Sequence, residues 1–221
     1  MLERLISGGI MMIPLMCCSV LTLAVLFERG LAFHRNSKME VRALRAKILT
    51  LLEQDRVDDA MNLCAGTPCP VSAVLLVGLQ TYKKTIAIKA SQAVQRQLIE
   101  KAMDDYAPQA IHSVELRLNW LATISNVAPL FGMTGTVTGM IRSFGGLGSA
   151  GSLDAGVVGA GISEALVATA SGLIIALTSL IPYNGFMNRV EKMALEIGEA
   201  SAELVEAVSM RREQQTAAQS Q

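Results

Sequence analysis

Charge is scarce in this 221-residue chain, with Asp, Glu, Lys and Arg making up 17% of it, where a soluble domain carries about a quarter. That excludes an ordinary cytosolic fold. The 51% hydrophobic content and mean hydropathy of +0.40 exclude intrinsic disorder as well. Neither sign of charge is in excess. The 19 basic residues balance 19 acidic ones, which leaves no net field to draw in nucleic acid or an acidic substrate. Histidine is nearly missing, with only His34 and His112. Cys64 and Cys69, the one cysteine pair at ligand-like spacing, therefore lack the further ligands that zinc requires. Cys17 and Cys18 sit side by side in an apolar run, where a small polarisable side chain packs well. No metal site and no cofactor is expected. The chain also lacks a phosphate-binding loop and a motif that sets histidine beside a nucleophile, which argues against an enzyme. It has no internal repeat of the kind that builds solute transporters.

Long apolar runs are what the chain has instead. No charged residue occurs between Arg4 and Glu28, the stretch from Leu118 to Ile141 is uncharged, and so is the stretch from Ala165 to Asn188, which follows an apolar lead-in containing Glu164. At about 1.5 Å per residue each is long enough to cross a hydrocarbon layer of about 30 Å. Basic residues follow the first run rather than precede it, the reverse of a signal peptide. An all-α integral membrane protein with three transmembrane helices is expected. One basic residue, Arg4, precedes the first span, whereas Arg29, Arg35, Lys38, Arg42, Arg45 and Lys47 follow it. The excess of Lys and Arg on cytoplasmic flanks then places the N-terminus outside and residues 29–117 in the cytoplasm. The expected order is residues 1–28 for the outer end and first span, 29–117 for a cytoplasmic helical domain, 118–141 for the second span, 142–156 for an outer loop, 157–188 for the third span and 189–221 for a cytoplasmic helix and tail.

The cytoplasmic segments read as helices that extend the spans. Val41, Leu44, Ile48, Leu51 and Leu52 recur at helical spacing, residues 55–66 repeat the pattern on a shorter scale, and Gly66, Pro68 and Pro70 interrupt it. Another short helix is expected over residues 71–82, and a single helix from about Ile86 into the second span with Pro108 as a kink. The tail continues the third span as a helix, packs into a bundle and frays over TAAQSQ.

Glu164 needs a reason. It is the only acidic residue in an expected span, and a carboxylate in hydrocarbon costs about 2.5 to 3.5 kcal/mol on insertion scales. Its position, about 11 Å to the outer side of the span's centre, lies within a half-thickness of about 15 Å. The competing reading is an acid in the first helical turn beside the headgroups. Gly161, Ala165, Ala168, Gly172 and Ala176 form a small-residue stripe on the same span, and Gly135 and Gly139 form another on the second. Such stripes let helices approach closely. Thr123, Asn126, Thr134 and Thr138 share one face of the second span, with Thr136 pointing elsewhere. Together with Glu164, Thr169 and Ser171 these hydroxyls suggest a narrow hydrated passage in which a carboxylate gains and loses a proton, although each hydroxyl can equally bond back to its own helix. On an ideal helix Glu164 and Thr169 lie about 140° apart, so both touch one path only if it runs between helices.

Two stretches, NWLATISNVAPLFGMTGTVTGMIRSF and GAGISEALVATASGLIIALTSLIPYNGF, resemble the TolQ, ExbB and MotA family of bacterial proton-channel subunits, most closely its three-span TolQ/ExbB branch. The motifs G-T-V-x-G-M and G-I-x-E-A-L-x-A-T-A-x-G-L carry the resemblance. Ala160 stands where the family often has proline, and Thr138 where it often has an aromatic residue. The resemblance implies a homopentamer in the inner membrane, its second and third spans enclosing a central pore, with a periplasmic N-terminus and a cytoplasmic C-terminus. It implies a dimeric single-span partner like ExbD or TolR inside the pore, with a TonB- or TolA-like protein beyond it, and coupling of proton motive force to mechanical work. It puts the ion pathway at Glu164, Thr169 and Thr136, leaves Thr134, Thr138 and Ser171 as candidate pore-lining residues, and assigns helix packing to Gly132, Gly135 and Gly139. A non-conducting oligomeric membrane scaffold is the alternative reading.

Overall fold

Helix is the only regular structure among the described residues, which in this computed structural model are 8–37, 41–88, 90–145 and 155–219. In chain order the helices are α1 (Met12–Ser37), α2 (Val41–Glu53), α3 (Val57–Ala65), α4 (Pro70–Ala87), α5 (Gln92–Gly145) and α6 (Ala155–Gln219). They divide into two units, one made of Met1–Leu31 and Leu116–Met187, the other of Ala32–Glu115 and Asn188–Gln221.

The first unit buries small residues and exposes large ones. Ala128, Ala165 and Ala168 are buried, as are Gly132, Gly135, Gly139 and Gly172, whereas Val20, Phe27, Leu130, Leu166, Ile174 and Ile181 are exposed. Water would penalise that arrangement, but lipid does not, because helices in a bilayer associate through close backbone packing rather than by hiding large apolar groups. Two stretches of the described residues are long and apolar enough to cross a membrane, Met12–Leu31 and one within Val158–Arg211. The expected second span is helical throughout, on α5, but Asn119, Asn126, its threonines and its glycines dilute its apolar character. Of the expected first span, residues 5–7 lie outside the described residues and Gly8–Met11 form a turn. There Gly9 adopts φ +73°, a left-handed conformation that glycine enters without penalty. Within this unit α1 and α6 run the same way and α5 runs opposite. Gly9 meets Glu164 and Thr22 meets Ser179, while Gly135 meets Ala168 and Glu28 pairs with Arg117.

The second unit has the opposite composition, with a core of Leu44, Ile48, Leu52, Val71, Leu79, Ile99, Met103 and Leu204, as expected of helices packed in water. On α2 the buried residues Leu44, Ile48 and Leu52 recur every four positions and form one stripe. At the start of α4 the Cys69 thiol accepts a hydrogen bond from the Ser72 amide and the Ser72 hydroxyl accepts one from the Cys69 amide, each 3.3 Å, with Pro70 in the first turn. Arg45 bridges α2 to α6, its Nε donating to Glu203 at 2.9 Å and its Nη1 to Glu199 at 3.0 Å.

Three expectations are corrected here. The helix expected over residues 71–82 runs from Pro70 to Ala87, and the long helix starts at Gln92 rather than Ile86. Ser91 precedes the new helix and its hydroxyl accepts from the Val94 amide, while the buried Gln95 side chain donates to Thr85 at 2.9 Å and ties the turn shut. From there α5 is helical on both sides of Pro108. Likewise α6 continues to Gln219, through most of the segment expected to fray.

Candidate functional site

The hairpin of α5 and α6 sets the site, and glycine sets the hairpin. A Cβ added at Gly172 would stand 2.6 Å from the Ala128 carbonyl oxygen, one at Gly135 2.6 Å from the Ala168 Cβ, and one at Gly139 3.0 Å from the Ala165 Cβ. A Cβ at Gly161 would collide with the Ser143 hydroxyl, which itself donates to the Gly139 carbonyl at 2.9 Å. The two backbones thus approach as closely as side chains allow from residue 128 to residue 143. Thr169 completes the seam by donating to the Gly132 carbonyl across the pair at 3.0 Å. Opposite a glycine nothing intervenes between that hydroxyl and the backbone oxygen.

Glu164 lies nine residues inside α6, which starts at Ala155. It is therefore not the first-turn acid of the competing reading. Its side chain is 24% exposed, and its Oε1 accepts from Arg142 Nη1 at 2.9 Å. The same oxygen rests against Gly9, where a Cβ would overlap it and would stand 2.9 Å from the carboxyl carbon. Three segments thus converge on one carboxylate: the last turn of α5, the third turn of α6 and the glycine turn before α1.

The threonine hydroxyls of α5 are turned to their own helix. Thr123 donates to the Asn119 carbonyl at 2.9 Å, Thr134 to Leu130 at 2.8 Å, Thr136 to Met133 at 2.6 Å and Thr138 to Thr134 at 3.0 Å. Ser171 is half-buried. Thr136 is one turn along α5 from Gly132, the residue to which Thr169 is bonded. The structure thus joins Thr169 to α5 and Glu164 to Arg142 and Gly9, by separate contacts. Arg142 and Gly9 are absent from the residues singled out in the sequence, yet Arg142 carried a signal as the only basic residue between Arg117 and Arg189. A second contact missed from sequence is the buried pair Thr22 and Ser179, whose hydroxyl oxygens lie 2.8 Å apart and link α1 to α6.

Comparison with known proteins gives this hairpin a family. The MotA/TolQ/ExbB proton channel family matches residues 70–199. The biopolymer transport protein ExbB of Salmonella typhimurium is 27% identical over 202 residues, covering 88% of this chain and 78% of the relative. The Tol-Pal system protein TolQ of Pseudomonas aeruginosa is 28% identical over 188 residues, covering 83% and 80%. An ExbB-like biopolymer transport protein of Synechocystis is 30% identical over 183 residues, covering 81% of each. The match takes in both sides of the Gly132–Thr169 and Arg142–Glu164 contacts, and the chain belongs to the MotA/TolQ/ExbB proton channel family of membrane proteins.

Proposed function

We propose that this chain is the ion-conducting subunit of an inner-membrane motor, coupling proton motive force to mechanical work through a single-span partner like ExbD or TolR. It spans the bilayer three times, with its N-terminus in the periplasm and its C-terminus in the cytoplasm. Five copies surround a pore lined by the second and third spans, with Glu164, Thr169 and Thr136 on the ion pathway. A TonB- or TolA-like protein receives the work. The chain performs no catalysis. One observation carries this reading: a carboxylate, 24% exposed, stands in a helix that bears no other acid before Glu191. Around it are Arg142, Gly9 and the small residues of the seam, while the large apolar side chains of the same helix, Leu166 and Ile174 among them, are exposed. Such a group in a span is a functional residue by default, because hydrocarbon repays it with nothing. Each proton crossing 100 mV releases about 2.3 kcal/mol, enough to drive a conformational step.

Glu164→Gln keeps size and hydrogen bonding but removes the exchangeable proton. The expected result is an assembled complex with proton flux into energised vesicles abolished; native flux in that variant overturns the mechanism. A second reading, a scaffold that packs but does not conduct, is favoured by the threonines that bond to their own helix carbonyls. Under that reading Glu164→Ala changes assembly and leaves flux untouched.

A further inference from the structure

We propose that Arg142 and the glycine turn at Gly8–Gly9 form a latch that holds the Glu164 carboxylate in a resting position, from which it must be released before it takes up a proton. This inference rests on the ion-pathway reading of Glu164 and adds its regulation.

Two elements from distant parts of the sequence act on one atom. Arg142 reaches Glu164 Oε1 from α5, and Gly9 meets the same Oε1 from the turn ahead of α1. The seat exists only because residue 9 has no side chain, since a Cβ there would occupy the carboxylate's place. Glycine is also what allows φ +73° at that point, and the turn is closed by the Met12 amide donating to the Gly9 carbonyl at 3.0 Å. Gly8 continues the fit, since a Cβ there would stand 3.4 Å from Val167 Cγ1 and 2.6 Å from Met12. The turn therefore lies over the third and fourth turns of α6 along two consecutive residues.

The cation is placed to let go. Arg142 is in the last turn of α5, where exposed carbonyls favour positive charge whether or not Glu164 is paired. Its side chain is 60% exposed against 24% for Glu164, so rotating the guanidinium away gives up little packing. A buried structural ion pair has no such exit, because removing one partner strands the other. Below the pair, the contacts Gly139–Ala165 and Gly135–Ala168 close the seam toward Thr169. The latched carboxylate thus has no room to swing along the protomer's own hairpin toward Thr169, and it is freed only by parting from Arg142 and the glycine turn.

The test uses the full chain in native membranes, with dicyclohexylcarbodiimide as a probe that adds to a protonated carboxyl in an apolar setting. The modified Glu164 peptide is followed by mass spectrometry at neutral pH. Arg142→Gln is expected to label on the order of threefold faster than the native chain, the ratio an exposed ion pair supplies. Arg142→Lys is expected to return the rate toward native, because it restores the charge. Gly9→Ala is a second and independent opening, expected to speed labelling without touching the charge, and it decides the matter if Arg142→Gln fails to accumulate. Equal rates in the native chain and the opened variant overturn the latch. Flux through Glu164→Gln separates the two levels: flux abolished there with labelling unmoved by Arg142→Gln removes the latch alone, while native flux removes the pathway reading and the latch with it.

Discussion

Gly172 and the Ala128 carbonyl are so close that a Cβ on Gly172 would stand 2.6 Å from the oxygen, with the Gly132 Cα at 3.2 Å. Neither neighbour is the end of a flexible side chain, so any accommodation has to move a helix backbone. Gly172→Ala is expected to destabilise the α5–α6 hairpin by about 1–3 kcal/mol, the usual cost of overpacking. Gly185→Ala, on the same helix with nothing within 4 Å of the new Cβ, is expected to be neutral or to stabilise by about 0.5–1 kcal/mol through helix propensity. Thermal denaturation in detergent compares the two. Equal melting temperatures would mean that the seam tolerates a methyl group and is not set by glycine.

In the second unit the two halves of the Arg45 bridge are unequal. The Arg45 side chain is 10% exposed, Glu203 44% and Glu199 67%. Glu203 takes two of the guanidinium nitrogens and Glu199 one. Glu199→Gln is expected to change stability by less than about 0.5 kcal/mol, as exposed pairs do. Arg45→Ala is expected to cost about 1–3 kcal/mol, through the charged hydrogen bonds to Glu203 and the packing of the Arg45 stem between α2 and α6. Denaturant titration of the two variants measures the difference.

Much of this was legible in the sequence because it depends on type and spacing alone. The four-residue spacing of Leu44, Ile48 and Leu52 gave α2, and the small residues of α5 and α6 marked the faces that meet. The break before Gln92 was harder to see, since TIAIKAS contains neither glycine nor proline. It is made by the contact of Gln95 with Thr85, ten residues apart and invisible to periodicity, with only Ser91 as a capping signal. The hydrogen-bond partners of the second-span threonines were not legible, for a physical reason. Helix carbonyls compete for each hydroxyl, and spacing says nothing of which acceptor wins. Arg142 was visible as a lone cation, but pairing it with Glu164 requires the hairpin register, which glycine contacts fix and sequence spacing does not.

Cys64 gives a pH dependence. Burial pushes its thiol up to about 11, with the neighbouring Cys69 adding to the effect, so the folded thiol stays protonated where the unfolded one, near 9.0, has begun to ionise. Stability from this source is complete below about pH 9 and falls as pH rises from about 9 to 11. At 1.36 kcal/mol per pH unit the total is a few kcal/mol. Cys64→Ala, compared with the native chain by thermal melts across that interval, is expected to flatten the slope. Iodoacetamide at pH 8 is expected to spare Cys64 until the second unit unfolds, and rapid modification of the folded chain would contradict its burial.

Thr169 tests whether a pathway residue can be told apart from a packing residue. Its hydroxyl supplies the Gly132 carbonyl with a second hydrogen bond beyond the helical one, at 3.0 Å. Thr169→Val keeps the shape and removes the donor, at an expected cost of about 0.6 kcal/mol and no more than about 1.7 kcal/mol, the range for hydrogen bonds between helices in membranes. Thr169→Ser keeps the donor and loses a methyl group. If the hydroxyl serves the ion pathway, Val lowers proton flux by far more than its small effect on hairpin stability accounts for, and Ser restores it. If the hydroxyl only fastens α6 to α5, flux follows stability through both variants, because a weakened seam and a lowered flux then have the same cause. Parallel measurement of flux in vesicles and of melting in detergent separates these outcomes, since only a residue on the path uncouples the two.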